Sequence, residues 1–542
     1  MTDRKTDVGD VMDVGDVMNV GDVPDTDVVI VGAGPTGLML AAELCLAGVR
    51  PLVLERRPQL QDVAKANGLG GHILELLAYR GLLDRLEALG NPHRHPALRY
   101  PFGTVQLDLT NVPEPPLRGI SLPQPKLERA LDEHARELGA EIRRGHEVVG
   151  VRQGETVVHA DVHGPDGSSY QLRGQYLVGC DGPRSRVRDL AGIAFPGATY
   201  PEVNRLGHVT PAEPVTVLDN GDLEVPGFGR IHPGFTRTER GVFALGRRTV
   251  GDLMIQTTEA EPADVDDDDA PMTLAEFEAS IHHVLGAPLP LAEATRLSRY
   301  GFQARQVDRY RHGRVLLAGE AAHVFPATGV GLNVGMTDAV NLAWKLAADI
   351  KGWAPAGLLD TYHSERHYAG ARTMMQTQAQ VALRHGQDPA AQALREVLQE
   401  LLIDEQPARR LAALIAGTDL HYPVPTANQH SSHAPHDLVG TSAPNLLLKT
   451  DRATTNVAQL MHAARPILLD LADRAELRKI AEGWRDRVDI HVAQTDHRPA
   501  DVLLIRPDAH IAWAAAVDEP ADAAALGLRE ALSAWFGDRR PS

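Results

Sequence analysis

The sequence predicts an α/β fold class in which a helix-covered parallel sheet is interleaved with an antiparallel sheet and followed by a small separate α/β unit. Three observations carry this reading. An apolar strand at residues 27–31 enters a glycine-rich turn and then a helix, and a second apolar strand closes at Glu55. Residues 201–299 are rich in Gly, Pro and β-formers, the composition of short antiparallel strands. Beyond a His/Ser/Pro/Asn-rich linker that includes residues 428–435, apolar segments recur at 466–471, 488–492 and 501–505.

Taken in chain order, the first segment is a six-residue near-repeat, Val8-Gly9-Asp10-Val11-Met12-Asp13, that runs twice more to Asp25. Its few large apolar side chains offer too little burial to offset ordering entropy, so residues 1–25 are expected to be a disordered tail. After the βαβ pattern come Ala/Leu-rich helical stretches to residue 89, strands and loops to 123, a helix at 126–138 and alternating strands through 178. Thr273 and Glu276 have capping-box spacing and start a helix behind the antiparallel strands. The acidic run at 264–269 reads as a solvated linker, since adjacent carboxylates do not converge on one ion without a defined turn. A buried strand at 315–319 leads through a Gly-containing loop to a helix around 338–350, where Trp344 reads as core, with Trp353 just beyond it. The expected division is 26–200 with 300–420 as one domain, 201–299 as a second that residues 90–123 join, and 443–542 as a third.

Composition removes several function classes. The 72 Asp+Glu against 54 Lys+Arg give a net charge of -18, which argues against a phosphate-backbone partner, so no nucleic acid is expected. Two cysteines, Cys45 and Cys180, provide neither a disulfide framework nor a thiolate metal site, which suits the cytoplasm. No apolar run is long enough for a membrane span, and no metal ligand set is expected.

The turn Gly32-Ala33-Gly34-Pro35-Thr36-Gly37 meets the requirements of a Rossmann-type dinucleotide site. Gly32 permits the tight turn, Gly34 lets backbone approach a pyrophosphate, and Gly37 lets helix and strand pack closely. Glu55, 18 residues after Gly37, is placed to accept from ribose hydroxyls and repels a 2′-phosphate, so the site suits FAD or NAD and not NADP. Two more segments distinguish these. Residues 176–188 end a strand in the turn Asp181-Gly182 before a basic helix start, and 313–323 end another in Gly319-Glu320, with Pro326, Gly329, Gly331, Leu332 and Asn333 following into a helix.

These three segments, in this order, resemble the fingerprints of the class A flavoprotein monooxygenases, the para-hydroxybenzoate hydroxylase type. The chain as a whole resembles the actinomycete aromatic polyketide hydroxylases and rifampicin monooxygenase. Pro123-Gln124 with Leu127-Glu128, and the signature at 360–366, carry that closer likeness. The resemblance implies non-covalent FAD, NADPH as transient co-substrate, and O2. It implies hydroxylation of a polycyclic aromatic polyketide through a C4a-hydroperoxyflavin in antibiotic biosynthesis. Baeyer-Villiger insertion and a flavin-binding scaffold without turnover are the alternatives. It implies that the last unit is thioredoxin-like, and without a Cys that unit lacks dithiol chemistry. By the same resemblance, Glu320 stands where the family has Asp on the ribityl chain, and Gly331, Leu332 and Asn333 offer backbone groups to the isoalloxazine. Arg56, Lys65, Gln124, Val148 and Asp181 are further cofactor-binding candidates. The catalytic residue is not named by the sequence; His323, directly after the third segment, is a structural or loop residue or else a candidate base, and the protein is expected to be a monomer or homodimer.

Overall fold

The computed structural model describes residues 24–62, 66–90, 95–96, 98–218, 221–249, 252–260, 271–326, 329–386, 388–423, 435–451 and 453–539. The near-repeat up to residue 23, Lys65, the acidic run 264–269 and most of the linker 428–435 therefore lie outside the described residues. Asp25, assigned to the tail, is held on the body: its amide donates to the Arg173 carbonyl at 2.9 Å and its carboxylate pairs with the Arg173 guanidinium at 3.1 Å.

Thr26–Val31 is the middle strand of a parallel array. It pairs with Pro51–Glu55 on one edge and Ser169–Gly179 on the other, and Glu141–Arg144 and Val315–Leu317 extend the sheet outward. Val28, Val29 and Ile30 are fully buried on both faces, which explains their unbroken apolar run. Helices Pro35–Leu46 and Gly331–Ile350 pack against each other beside this sheet. The second helix begins seven residues before the expected 338, because Gly331-Leu332-Asn333 already adopts helical geometry. Likewise the helix expected at 126–138 starts at Gln124, where Pro125 fits the first turn without loss of a hydrogen bond.

The antiparallel sheet runs in the order Gly234–Thr238, Gly241–Thr249, Asp252–Glu259, Gly197–Pro211, Leu291–Gln306, His323–Val324. Its two long strands pair from Gly197↔Arg305 to Pro211↔Leu291 and so overrun 201–299 at both ends, carrying the chain back to the parallel sheet. Helix Leu274–Leu285 covers one face, with Thr273 Oγ1 accepting from the Glu276 amide at 3.1 Å as the sequence predicts. Residues 90–123 were expected to join this unit. Instead the described hairpin Arg99–Phe102/Val105–Asp108 forms its own two strands, and Phe102, Val105 and Leu107 pack with Leu383, Ala408 and Ala412 of the helices Thr361–His385 and Glu405–Ala416.

The C-terminal unit is a four-stranded sheet in the order Asp489–Val492, Ile467–Asp470, Val502–Ile505, Ile511–Ala515, backed by helix Ala521–Phe536. Its last strand and helix, the apolar run from Ile511 and the Ala/Leu-rich segment 521–536, add to the three segments expected from the sequence. Its core is shared: buried Trp344 of the Gly331–Ile350 helix packs with Trp484, Trp535 and Phe536. Among the described residues, no helix is long and apolar enough to cross a membrane.

Candidate flavin site

Backbone crowding behind the first turn explains two of its glycines. Gly32 has φ +106°, and a Cβ there would stand 2.4 Å from the Cys180 carbonyl oxygen. A Cβ on Gly37 would stand 2.0 Å from the Gly32 oxygen. At Gly34 the reverse holds, since no atom of the described residues lies within 4 Å of the Cβ position. The turn is thus closed toward the protein and open at the residue expected to approach a ligand. The helix that Pro35 begins has no side-chain cap, so its first amides face outward as an anion site.

Glu55 holds this turn from below, its carboxylate accepting from the Ala33 amide at 2.8 Å and the Arg57 amide at 2.9 Å. Thr36 is the meeting point with the third segment, because Cβ atoms on Gly319 or Gly335 would strike its Oγ1 at 2.7 and 2.5 Å. Gly319 and Glu320 lie in a short 3-10 turn, and Glu320 is exposed. Pro326 is buried, whereas Gly329, at φ +73°, has open space beside it. Gly331, half-buried Leu332 and Asn333 form the uncapped first turn of the second helix, and Asn333 Oδ1 accepts from the Gly70 amide at 3.5 Å. A cleft bordered by Gly70, His72, Asn333, Thr337, Arg366 and Ala416 lies at that turn. Two uncapped helix starts, crowded behind and open in front at Gly34 and Gly329, fit an extended dinucleotide with a flavin ring at its far end.

The remaining candidates take different positions. Asp181 accepts from Ser185 Oγ at 2.5 Å and the Val187 amide at 3.1 Å, organising the Asp-Gly turn, while burial pushes its carboxyl up. Gln124 donates to Glu128 at 2.8 Å. Val148 is buried in the core with only 3% exposure, so its backbone is what it presents to a neighbour; Arg56 is exposed. His323 is fully buried with Nε2 2.7 Å from Asp338 Oδ2, and its ring stacks on Phe325.

Asp338 carries no distinct signal as a site residue in the sequence. It also accepts from the Gly319 amide at 3.0 Å and from Arg366 Nε at 2.6 Å. Burial raises its carboxyl, but Arg366 and His323 outweigh that and hold it below the usual range. The sequence traces of this group are Gly319 and His323 in the third segment and the 360–366 signature that ends in Arg366.

The antiparallel sheet offers a second surface. Its helix-covered face is packed, with Gly207 under Phe277 and Thr257 on Ser280 at 2.6 Å. On the opposite face, alternation places Leu206, Met254, Gln256, Arg296, Ser298 and Tyr300, which are only half-buried. Buried Asn204 lies among them, and its Nδ2 and the Ser298 Oγ find no hydrogen-bond partner among the described residues.

A Rossmann-type sheet with this open glycine turn, joined to a half-covered antiparallel sheet, defines a flavin-dependent oxidoreductase. Residues 25–377 match the FAD binding domain family and 436–539 the aromatic-ring hydroxylase C-terminal family. The chain belongs to the FAD-dependent aromatic-ring hydroxylases, which are monooxygenases. It is 39% identical over 522 residues to the 12-dehydrotetracycline 5-monooxygenase/anhydrotetracycline 6-monooxygenase of Streptomyces rimosus, covering 94% of this chain and 99% of that protein. It is 38% identical over 519 residues to the rifampicin monooxygenase of Streptomyces venezuelae, covering 94% and 98%. The solved anhydrotetracycline hydroxylase from Streptomyces rimosus superposes with TM-score 0.83 at 38% identity, covering 95% of this chain and all of that one.

Proposed function

We propose that this monooxygenase hydroxylates a polycyclic aromatic polyketide in antibiotic biosynthesis, consuming NADPH and O2 as a monomer or homodimer in the cytoplasm. The observation that carries the substrate class is the half-buried sheet face, where Leu206, Met254 and Tyr300 supply apolar area between the polar groups of Asn204, Gln256 and Ser298. A flat multi-ring molecule with several oxygens meets both needs, covering the apolar area of Leu206, Met254 and Tyr300 and placing its oxygens against half-buried Gln256.

FAD, when bound, supplies the redox and oxygen chemistry. The chain's own residues hold and orient it. The Gly34 turn and the amides after Pro35 receive the pyrophosphate, Glu55 fixes that turn while facing the ribose, and the first turn of the Gly331–Ile350 helix offers its amides to the ring. His323, bonded to Asp338 and fully buried, acts in this reading as a support of the Gly319 turn. The sequence has no second strand–glycine turn–helix unit, so NADPH docks transiently.

Incubation of FAD-loaded protein with NADPH, O2 and a tetracyclic or angular polycyclic phenol should give a product one oxygen atom heavier, detected by mass spectrometry. NADPH consumption without any oxygenated product across such a panel would refute the substrate class.

A further inference from the structure

Both helices that open on the flavin site reach, at their far sides, the same short piece of the C-terminal unit. From the first helix, Glu43 holds Arg80 through two bonds of 2.6 and 2.9 Å, and Arg80 Nη2 donates to the Pro507 carbonyl at 2.6 Å. From the second, Asn341 Nδ2 donates to Glu365 Oε2 at 2.7 Å and to Asp508 Oδ2 at 2.8 Å. Lys345 Nζ bonds Asn341 Oδ1 at 2.8 Å and Glu365 Oε2 at 2.7 Å. Arg506 is the hub, reaching both Glu365 oxygens at 2.6 and 2.8 Å and both Asp508 oxygens at 2.9 and 2.5 Å, with its guanidinium 4.5 Å from the Trp535 ring centre. All of these side chains are 4% exposed or less, that of Arg80 included at 1%.

We propose that the Cys-free C-terminal unit serves as an electrostatic clamp on the flavin site, with Arg506 and Asp508 as positioning residues for the second flavin-facing helix and the Pro507 carbonyl between them taking Arg80 from the first. The proposal rests on the flavin site described above. Asp338, Asn341 and Lys345 follow one another at three- and four-residue spacing and so share one face of their helix. Glu365 and Arg366 are neighbours, and each serves one of the two buried charge groups on that face: Glu365 the Arg506 group, Arg366 the Asp338 group that fixes the Gly319 amide. A shift of the helix at Asn341 is therefore passed to the turn that meets Thr36. The charges balance, Lys345 and Arg506 against Glu365 and Asp508, so loss of Arg506 alone leaves two buried carboxylates facing one ammonium. Removing Asp508 charge as well restores the balance.

The test compares purified full-length Arg506→Met, Arg506→Met/Asp508→Asn and Arg506→Lys with wild type. FAD affinity is read by quenching of flavin fluorescence in the folded fraction, alongside a circular-dichroism melt. Arg474→Met is the control: it breaks the Arg474–Asp501 pair at 3.0 Å within the same unit but away from the helices. Arg506→Met should raise the FAD Kd about tenfold or more, and the charge-balanced double variant should recover most of that loss. Arg506→Lys keeps the charge without the fork and should fall between them, which keeps the idea testable if Arg506→Met does not fold. Arg474→Met should lower the melting temperature with the Kd unchanged. An unchanged Kd in the folded Arg506 variants, or an equal rise in Arg474→Met, would overturn the clamp. Wild-type protein that takes up no FAD would instead refute the flavin site itself.

Discussion

The glycine turn at residues 32–37 and the contact around Arg506 act on the same pair of helices by opposite means. The turn works by absence: three residues without side chains let backbone pass within van der Waals contact and leave open space at Gly34. The Arg506 contact works by excess, packing two cations and two carboxylates into the interior and giving each carboxylate oxygen at least one donor. The first tolerates no added atom at Gly32 or Gly37; the second tolerates no unbalanced loss of charge. The largest effects are accordingly expected at the turn, and the two kinds of glycine there should fail differently. Gly37→Val drives a branched side chain into the Gly32 carbonyl and should cost about 4 kcal/mol or more, seen as loss of folded protein. Gly34→Val meets no atom of the described residues, so the apo-protein should melt near the wild-type temperature while FAD affinity falls about 100-fold or more. A Gly34→Val protein that stays yellow would remove the turn from the flavin site.

Acidification probes the other side of the comparison. Burial raises the Glu365 carboxyl, but Arg506 and then Lys345 outweigh it and bring it down to about 2. A carboxyl depressed on folding contributes stability that is complete above its ordinary value of 4.5 and is lost as pH falls toward about 2. Without Arg506 the largest lowering influence is gone. Arg506→Met should therefore release flavin at a pH about one unit higher than wild type, followed by fluorescence during acid titration. Superimposable acid-release curves for the two proteins would show that this ion group does not govern retention.

The same contrast explains what the sequence made legible. Gly32, Gly34 and Gly37 lie within six residues, and their spacing, with a strand before and a helix after, is a local pattern. The antiparallel sheet and the Thr273 cap were legible for the same reason. Arg80 and Pro507 are 427 positions apart, and Glu365 and Arg506 are 141 apart, so nothing in either neighbourhood announces the partner. Asp338 was hidden similarly, one carboxylate on an apolar helix whose meaning comes from Arg366 and His323. Segment 90–123 was misplaced because its short alternating strands state a pattern but not a partner, and the helices that bury Phe102 lie near residues 383 and 412.

A cap is the local device with a modest expected effect. Thr273→Ala removes the acceptor for the Glu276 amide and should cost about 1 kcal/mol, or a few degrees in melting temperature. Because helix Leu274–Leu285 covers the face of the sheet away from Asn204 and Ser298, FAD affinity should stay at the wild-type value. A change in FAD affinity as large as that of the Arg506 variants would erase the distinction between general packing and the clamp.

The smallest effect is expected at the beginning of the chain, where two adjacent cut sites should behave differently. Removing residues 1–24 takes away a Gly/Asp-rich repeat with little apolar surface to bury, and should change stability by less than about 1 kcal/mol, under about 4 °C in melting temperature. Asp25 marks where the body begins, through its backbone bond and ion pair with Arg173, and Asp27 pairs with Arg50 at 3.0 Å. Thr26 Oγ1 adds a bond to the Arg50 carbonyl at 2.7 Å and is itself buried. Removing residues 1–28 would take these together with the first residues of the strand that centres the parallel sheet, so that cut should lower the melting temperature well beyond the first. Thermal melts of the two truncations, with flavin content measured in each, check both statements at once. If the shorter cut alone lowered the melting temperature by more than about 4 °C, the repeat would have to pack on the body, contrary to what its composition implies.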